Sequence, residues 1–290
     1  MRAVALNGKQ PFVRMKNEHA LTVVEQRLAA PLREFIDWRN GSSACHFGGA
    51  HDILVSMTVA EILKELESLG NEQTRKTYAR HGMTGNILGV RYGDMEKIVK
   101  RIRKQPELAA ELWESGFHEA RIIALKIADP DKLTKATLSK WARDVGESTT
   151  MDIANLISRS KHAVDLVENW TNAPAGRQEW KHVVGWTIIT VLAGKAVEID
   201  RSWFAAFLPR IEKEIAGALN WVRYAMNNAL IAIGGCDDSK LRDAALAVAK
   251  KIGKVEVDHG DTSCKTPDAG PYILKIHEHR KAKKKTAKRK

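Results

Sequence analysis

Residues whose types and spacing could do chemistry fall into three groups. The first is Val257-Asp258-His259-Gly260-Asp261-Thr262-Ser263-Cys264-Lys265, where two carboxylates, an imidazole and a thiol crowd together. A zinc site needs ligands spaced so that four side chains converge, and this spacing matches no established pattern. The segment therefore reads as a structured turn capping the final helix, with no metal or cofactor expected; folding back toward a binding surface stays open. The second group is a basic run, Lys97, Lys100, Arg101, Arg103 and Lys104, with Arg80 upstream. It is either a solvated helix face or a phosphate contact. The third group recurs: Arg121, Asp152, His182 and Arg223 stand in similar helical heptapeptides at separations of 31, 30 and 41 residues. No Gly-rich phosphate loop, HExxH or nucleophile elbow is present, which argues against nucleotide hydrolysis, metalloprotease and serine hydrolase chemistry.

The elements that must position these residues are helices. Ala, Leu, Lys, Glu and Arg dominate periodic stretches, and no alternating strand pattern competes with them. Apolar residues recur at i, i+3, i+4 and i+7 in Met95–Ile102, Leu108–Trp113, Ala120–Ile127, Leu133–Val145 and Met151–Ile157. The pattern continues in Trp180–Leu192, Trp203–Ile211, Ile215–Ile233 and Leu241–Ile252, with breaks expected at Gly116, Pro130, Gly146, Pro174, Gly194 and Gly234-Gly235. Residues 1–56 read as an N-terminal extension in which only Leu21–Trp38 has a helical pattern. The fold is expected to start at Met57, a candidate initiator, because Thr58 and Glu61 form a capping-box pair. Residues 57–255 form the repeat domain, 256–275 an ordered segment and 276–290 a basic disordered tail.

The formal net charge is +12, but Lys281 to Lys290 hold seven Lys/Arg and no acid, so residues 1–280 carry +5. Such a run attracts polyanions. Three cysteines without CxxC spacing make structural disulfides unexpected. No apolar run reaches the ~20 residues that span a bilayer, and no cleavable signal precedes the helices. The expectation is a monomeric, cytoplasmic, nucleoid-associated protein with no membrane partner.

Helix pairs repeating every 30 to 45 residues define an all-α fold, a HEAT-like or ARM-like repeat α-solenoid; a generic helical bundle is the alternative. In a solenoid the second helix of each pair lines a concave surface. Arg121, His182 and Arg223 at equivalent inner positions would make a basic stripe able to track the phosphates of double-stranded DNA. Of the tryptophans, Trp113, Trp186 and Trp203 read as core. Trp180 and Trp221 begin their helices and could instead stack on bases or sugars.

Tyr78-Ala79-Arg80-His81-Gly82, Asn86-Ile87-Leu88-Gly89-Val90, the Glu111–Ser115 run and Glu119-Ala120-Arg121 together resemble the bacterial DNA alkylation repair proteins, the AlkD-like HEAT-repeat alkylpurine DNA glycosylases. The likeness covers about residues 57–255. It implies a HEAT-like horseshoe, binding of alkylated or distorted duplex DNA and, in active members, loss of a cationic methylated purine. There an acidic side chain stabilises the charge that develops on the deoxyribose, and aromatic faces flank the backbone. By resemblance Met151 stands at the family's Trp position, Asn155 at its catalytic Asp, His182 at its inner-helix Arg and Asn228 at its second aromatic. Lys181 and Asn227 flank those positions and join the expected DNA-binding set with Arg80, Arg121, Met151, Trp180 and Arg223. Asn cannot supply the negative charge, so catalysis would fall to Asp152, about one helical turn earlier. Asp152 also reads as an N-terminal helix carboxylate favoured by the macrodipole, with Thr149 and Thr150 as caps. The two resulting readings are an excising enzyme with an altered site and a non-catalytic binder of bent or branched DNA. A protein-binding solenoid is the third.

Overall fold

The computed structural model describes residues 57–287, apart from Gly82, Thr84, Lys104, 173–178 and 196–198. The expected extension at 1–56, with its Leu21–Trp38 helix, lies outside the described residues, as does Lys104. The described elements are α1 (Val59–Leu69), α2 (Glu72–Arg80), α3 (Tyr92–Ile102), α4 (Leu108–Glu114), α5 (His118–Ile127), α6 (Lys135–Arg143) and α7 (Thr150–Ile157). They continue as α8 (Ala163–Thr171), α9 (Glu179–Gly194), α10 (Arg201–Ala205), α11 (Phe207–Glu214), α12 (Asn220–Gly235), α13 (Ser239–Ile252) and α14 (Ala269–Ala287). Among the described residues there is no β-strand.

Local chemistry sets the helix ends. Thr58 and Glu61 form the reciprocal capping box that starts α1, and Asn71, Thr134 and Asp238 accept from the first turns of α2, α6 and α13. Each such cap satisfies an orphan N–H and is worth about 1 kcal/mol. Thr149 and Thr150 do otherwise. Their hydroxyls bond back to the Gly146 carbonyl at 3.4 and 2.9 Å, and Thr149 makes no side-chain cap bond to α7.

The helices pair in two rows. α5, α7, α9, α12 and α14 pack in succession as the inner row, while α4, α6, α8, α11 and α13 pack behind them. Every residue of α9 from His182 to Ala193 is buried, because this helix is enclosed by α7, α8 and α12. Across the outer row Trp113 stacks on Trp141 at 4.6 Å. Trp113 and Trp186 are buried, and Trp203, Trp180 and Trp221 pack against the core.

The helix break expected at Gly234-Gly235 falls there, at the end of α12. Gly234 and Gly235 are the last residues of α12. A Cβ at Gly234 would stand 2.6 Å from Ile273 Cδ1 and 2.8 Å from Ala245 Cβ, so their small size lets α13 and α14 close on α12. The expected continuous run Ile215–Ile233 is divided: a 3-10 turn at Ile215–Gly217 and extended Ala218 separate α11 from α12.

The tail expectation is corrected as well. Residues 276–287 continue α14 as helix, with Ile276 buried and His277 and Arg280 bonded to the carbonyls of Gly234 and Gly235. Apolar burial and two polar anchors overcome the charge repulsion that favours a coil.

Candidate nucleic-acid interface

Apart from Arg80, which ends α2, the expected site residues lie on the inner row, and the fold treats them differently. Met151 and Asn155, four residues apart on α7, share one helix face; Met151 is half-buried against the core and Asn155 is exposed. Asp152 faces the preceding inner helix. Its Oδ1 is 3.5 Å from Lys126 Nζ, which also meets Glu96 at 2.6 Å. An ion triad thus links α3, α5 and α7. Burial works against the Lys126 charge, but Asp152 and Glu96 outweigh it and hold its pKa above the ordinary lysine value. A lysine kept protonated in this way is no nucleophile for a Schiff base.

The guanidinium groups of the expected stripe are turned toward backbone. Arg121 lies over the Trp113 ring at 5.0 Å and donates to the carbonyls of Trp113 and Asp144. Arg223 donates to the carbonyls of Ala218 and Glu256, at 2.9 and 3.0 Å, tying the start of α12 to the strand of chain that follows α13. His182 is buried on α9. Asn227 is fully buried and donates to the Pro267 carbonyl at 2.9 Å, while Asn228 on the next position is half-buried.

Cations that do reach solvent gather at both ends of the inner helices. At the N-terminal ends, Lys181 and half-buried Trp180 open α9. Burial first, and then the charge of exposed Arg143, hold the Lys181 pKa below the ordinary value. At the opposite ends, Lys195 donates to Ser158 Oγ at 2.7 Å; burial and then the charge of exposed Arg159 lower its pKa too. Two cations that oppose each other's protonation form a place where an anion is stabilising. Arg80 is exposed at the end of α2. In the basic helix α3, Lys97 pairs with Asp94 and Arg101 with Glu65, leaving Lys100 and Arg103 exposed.

The Asp258–Cys264 segment is built around α12. Asn220 brackets the Asp258 backbone with two bonds of 2.8 Å, and His259 stands edge-on to Trp221 and Tyr224 at 5.9 and 5.3 Å. Its Nε2 lies 3.0 Å from Thr266 Oγ1. Among the described residues no group of three or more His, Cys, Asp or Glu is arranged to hold a metal.

One structural residue was not singled out for this role. Glu119 is fully buried at the start of α5. Its Oε1 accepts from the Gly89 and Val90 N–H at 2.7 and 3.2 Å, and its Oε2 accepts from Leu88 N–H at 3.0 Å. Tyr78 Oη donates to the Val90 carbonyl at 2.7 Å. Tyr78, Leu88–Val90 and Glu119 thus form one hydrogen-bonded knot at the start of α5.

Paired helices stacked in two rows, with a lysine- and arginine-bearing inner row, define a HEAT-like repeat protein of the kind related to DNA glycosylases. A similar solved structure is from a family described as related to the HEAT-like repeat DNA glycosylases, with affinity for branched DNA structures; it superposes with a TM-score of 0.69 at 28% identity, covering 77% of this chain and 95% of that one. The family model of the DNA alkylation repair enzymes matches residues 62–270, and the chain belongs to that family. An uncharacterized protein of Listeria innocua is 30% identical over 226 residues, 76% of this chain and 97% of its own length. One of Listeria monocytogenes is 29% identical over 232 residues, 78% of this chain and 100% of its own. No described helix is long and apolar enough to cross a membrane.

Proposed function

We propose that this protein binds branched or otherwise distorted double-stranded DNA across its inner-helix surface, and that it does so without excising alkylated purines. The observation that carries the reading is the exposed, uncharged Asn155 on α7, where the family resemblance places the catalytic acid. Breaking a glycosidic bond to a cationic base builds positive charge on the sugar, and only a carboxylate near that sugar opposes it. Asp152 is the nearest substitute on the helix. Its carboxylate is held against Lys126, so the field it would present to a sugar is largely cancelled by an ammonium 3.5 Å away.

Affinity comes from phosphate contacts. Arg143 at the end of α6 faces Lys181 at the start of α9, Arg159 beyond α7 faces Lys195 beyond α9, and exposed Arg80, Lys100 and Arg103 add to them. Contacts of this kind position a duplex without reading its sequence, which suits a ligand defined by shape. The affinity for branched DNA ascribed to the similar solved protein supports this ligand class.

Abasic-site formation on a methylated duplex tests the reading. We expect none from the wild-type protein, and gain of product in Asn155→Asp would mark a groove that lacks only its acid. Product release by the wild type that Asp152→Asn abolishes would instead assign catalysis to Asp152. A protein-binding solenoid is distinguished by salt: phosphate binding makes log K fall linearly with log salt.

A further inference from the structure

We propose that α14 is a docked basic arm that takes the phosphates of one strand of duplex DNA, an inference that rests on the DNA-binding role above. The family match ends at residue 270, so nearly the whole of this helix lies outside it. Its first half belongs to the core. Ile273 and Ile276 are buried and fill the space above two glycines of α12: a Cβ at Gly234 would lie 2.6 Å from Ile273 Cδ1, and one at Gly235 would lie 3.0 Å from Ile276 Cδ1. One turn further, His277 Nε2 stands 2.8 Å from the Gly234 carbonyl, and Arg280 Nη1 donates to the Gly235 carbonyl. These carbonyls close α12. A helix C-terminus presents unsatisfied oxygens and partial negative charge, so donors and cations are favoured there.

Beyond the anchors the charge is of one sign. Lys281 to Lys290 contain seven Lys/Arg and no acid, and α14 extends as helix to Ala287. Like charges on successive turns destabilise an isolated helix; a polyanion laid along it removes that penalty. At 1.5 Å per residue, residues 281–287 advance about 10 Å. One DNA strand offers a phosphate roughly every 3.4 Å along the axis, so the arm beyond the anchors spans on the order of three phosphates. Since α14 takes the inner place of the last helix pair, it continues the same row that carries Lys126 on α5 and Lys181 on α9. Docking also orders its backbone before DNA arrives, which lowers the entropic cost of binding relative to a coil.

Two variants test the arm, each titrated with plain duplex and with a four-way junction at 50 and 200 mM salt. Deleting 281–290 keeps Ile273, Ile276, His277 and Arg280, and an unchanged thermal melt verifies the fold. Loss of about three phosphate contacts makes the log K against log salt slope shallower by about 2.7. The deficit relative to wild type is then about fortyfold larger at 50 mM than at 200 mM. His277→Ala removes an anchor and keeps every lysine; we expect about a threefold loss of affinity from the lost preorganisation. An unchanged slope on deletion overturns the arm, while residual binding leaves the role of the inner row standing. A deletion effect with His277→Ala at wild-type affinity overturns the docked geometry. Absence of binding by the full chain at either salt overturns both readings.

Discussion

Replacing Glu119 by Gln changes one atom of a buried side chain, and its cost follows from three hydrogen bonds. In the native protein Oε1 serves Gly89 and Val90 while Oε2 serves Leu88. The Gln amide oxygen can retain the first two, but its NH2 group then faces the Leu88 N–H, donor against donor. One orphaned donor costs about 1–3 kcal/mol. The two retained bonds lose their charge assistance, roughly 1 kcal/mol each on the difference between charged and neutral acceptors. The total is about 3–5 kcal/mol, a large share of the 5–15 kcal/mol typical of a domain. Urea unfolding followed by tryptophan fluorescence reads this as a lower midpoint, and limited proteolysis should cut first within 83–91. A Glu119→Gln protein within about 1 kcal/mol of wild type, with that loop still protected, would refute the reasoning.

Other expectations follow from packing and protonation. Gly234→Ala should cost about 1–3 kcal/mol by overpacking, since its Cβ meets Ile273 and Ala245; a melting temperature equal to wild type would show that α14 shifts freely. Burial, partly offset by the Glu119 carboxylate, holds the His118 pKa below the ordinary 6.5. The folded protein therefore resists taking a proton that the unfolded chain accepts, so His118 contributes full stability above pH 6.5 and loses it as pH falls toward the lowered folded value. Denaturation midpoints between pH 7.5 and 5.5 should show the loss, and His118→Phe, which keeps the edge contact to Tyr78, should show less of it. Lys126→Met should weaken DNA binding at low salt more than at high salt, because it leaves Glu96 and Asp152 uncompensated beside the inner row; salt-independent loss would point to a packing defect.

Periodicity and capping made the helices legible in the sequence, because both are local. Thr58 and Glu61 lie three residues apart and announce α1 by themselves. The similar heptapeptides of Arg121, Asp152, His182 and Arg223 fall on α5, α7, α9 and α12, helices that pack in succession, since repeat spacing reports stacking. What those side chains do there was not legible. Arg121 and Arg223 are drawn to carbonyls 23 and 33 residues away, and Asp152 meets Lys126 across neighbouring helices. Glu119 had the same difficulty, its partners lying about 30 residues upstream. Gly234 and Gly235 carry the usual signature of a helix end and do end α12, but only the approach of α14 reveals why both must be small.

The central claim is that the inner-helix surface prefers distorted DNA over regular duplex. The most direct measurement is a competition titration at fixed salt, in which a labelled four-way junction is displaced by unlabelled junction or by plain duplex of equal length and charge. The account predicts that the junction competes at least about tenfold better, a difference of about 1.4 kcal/mol. Equal competition by both DNAs would contradict it.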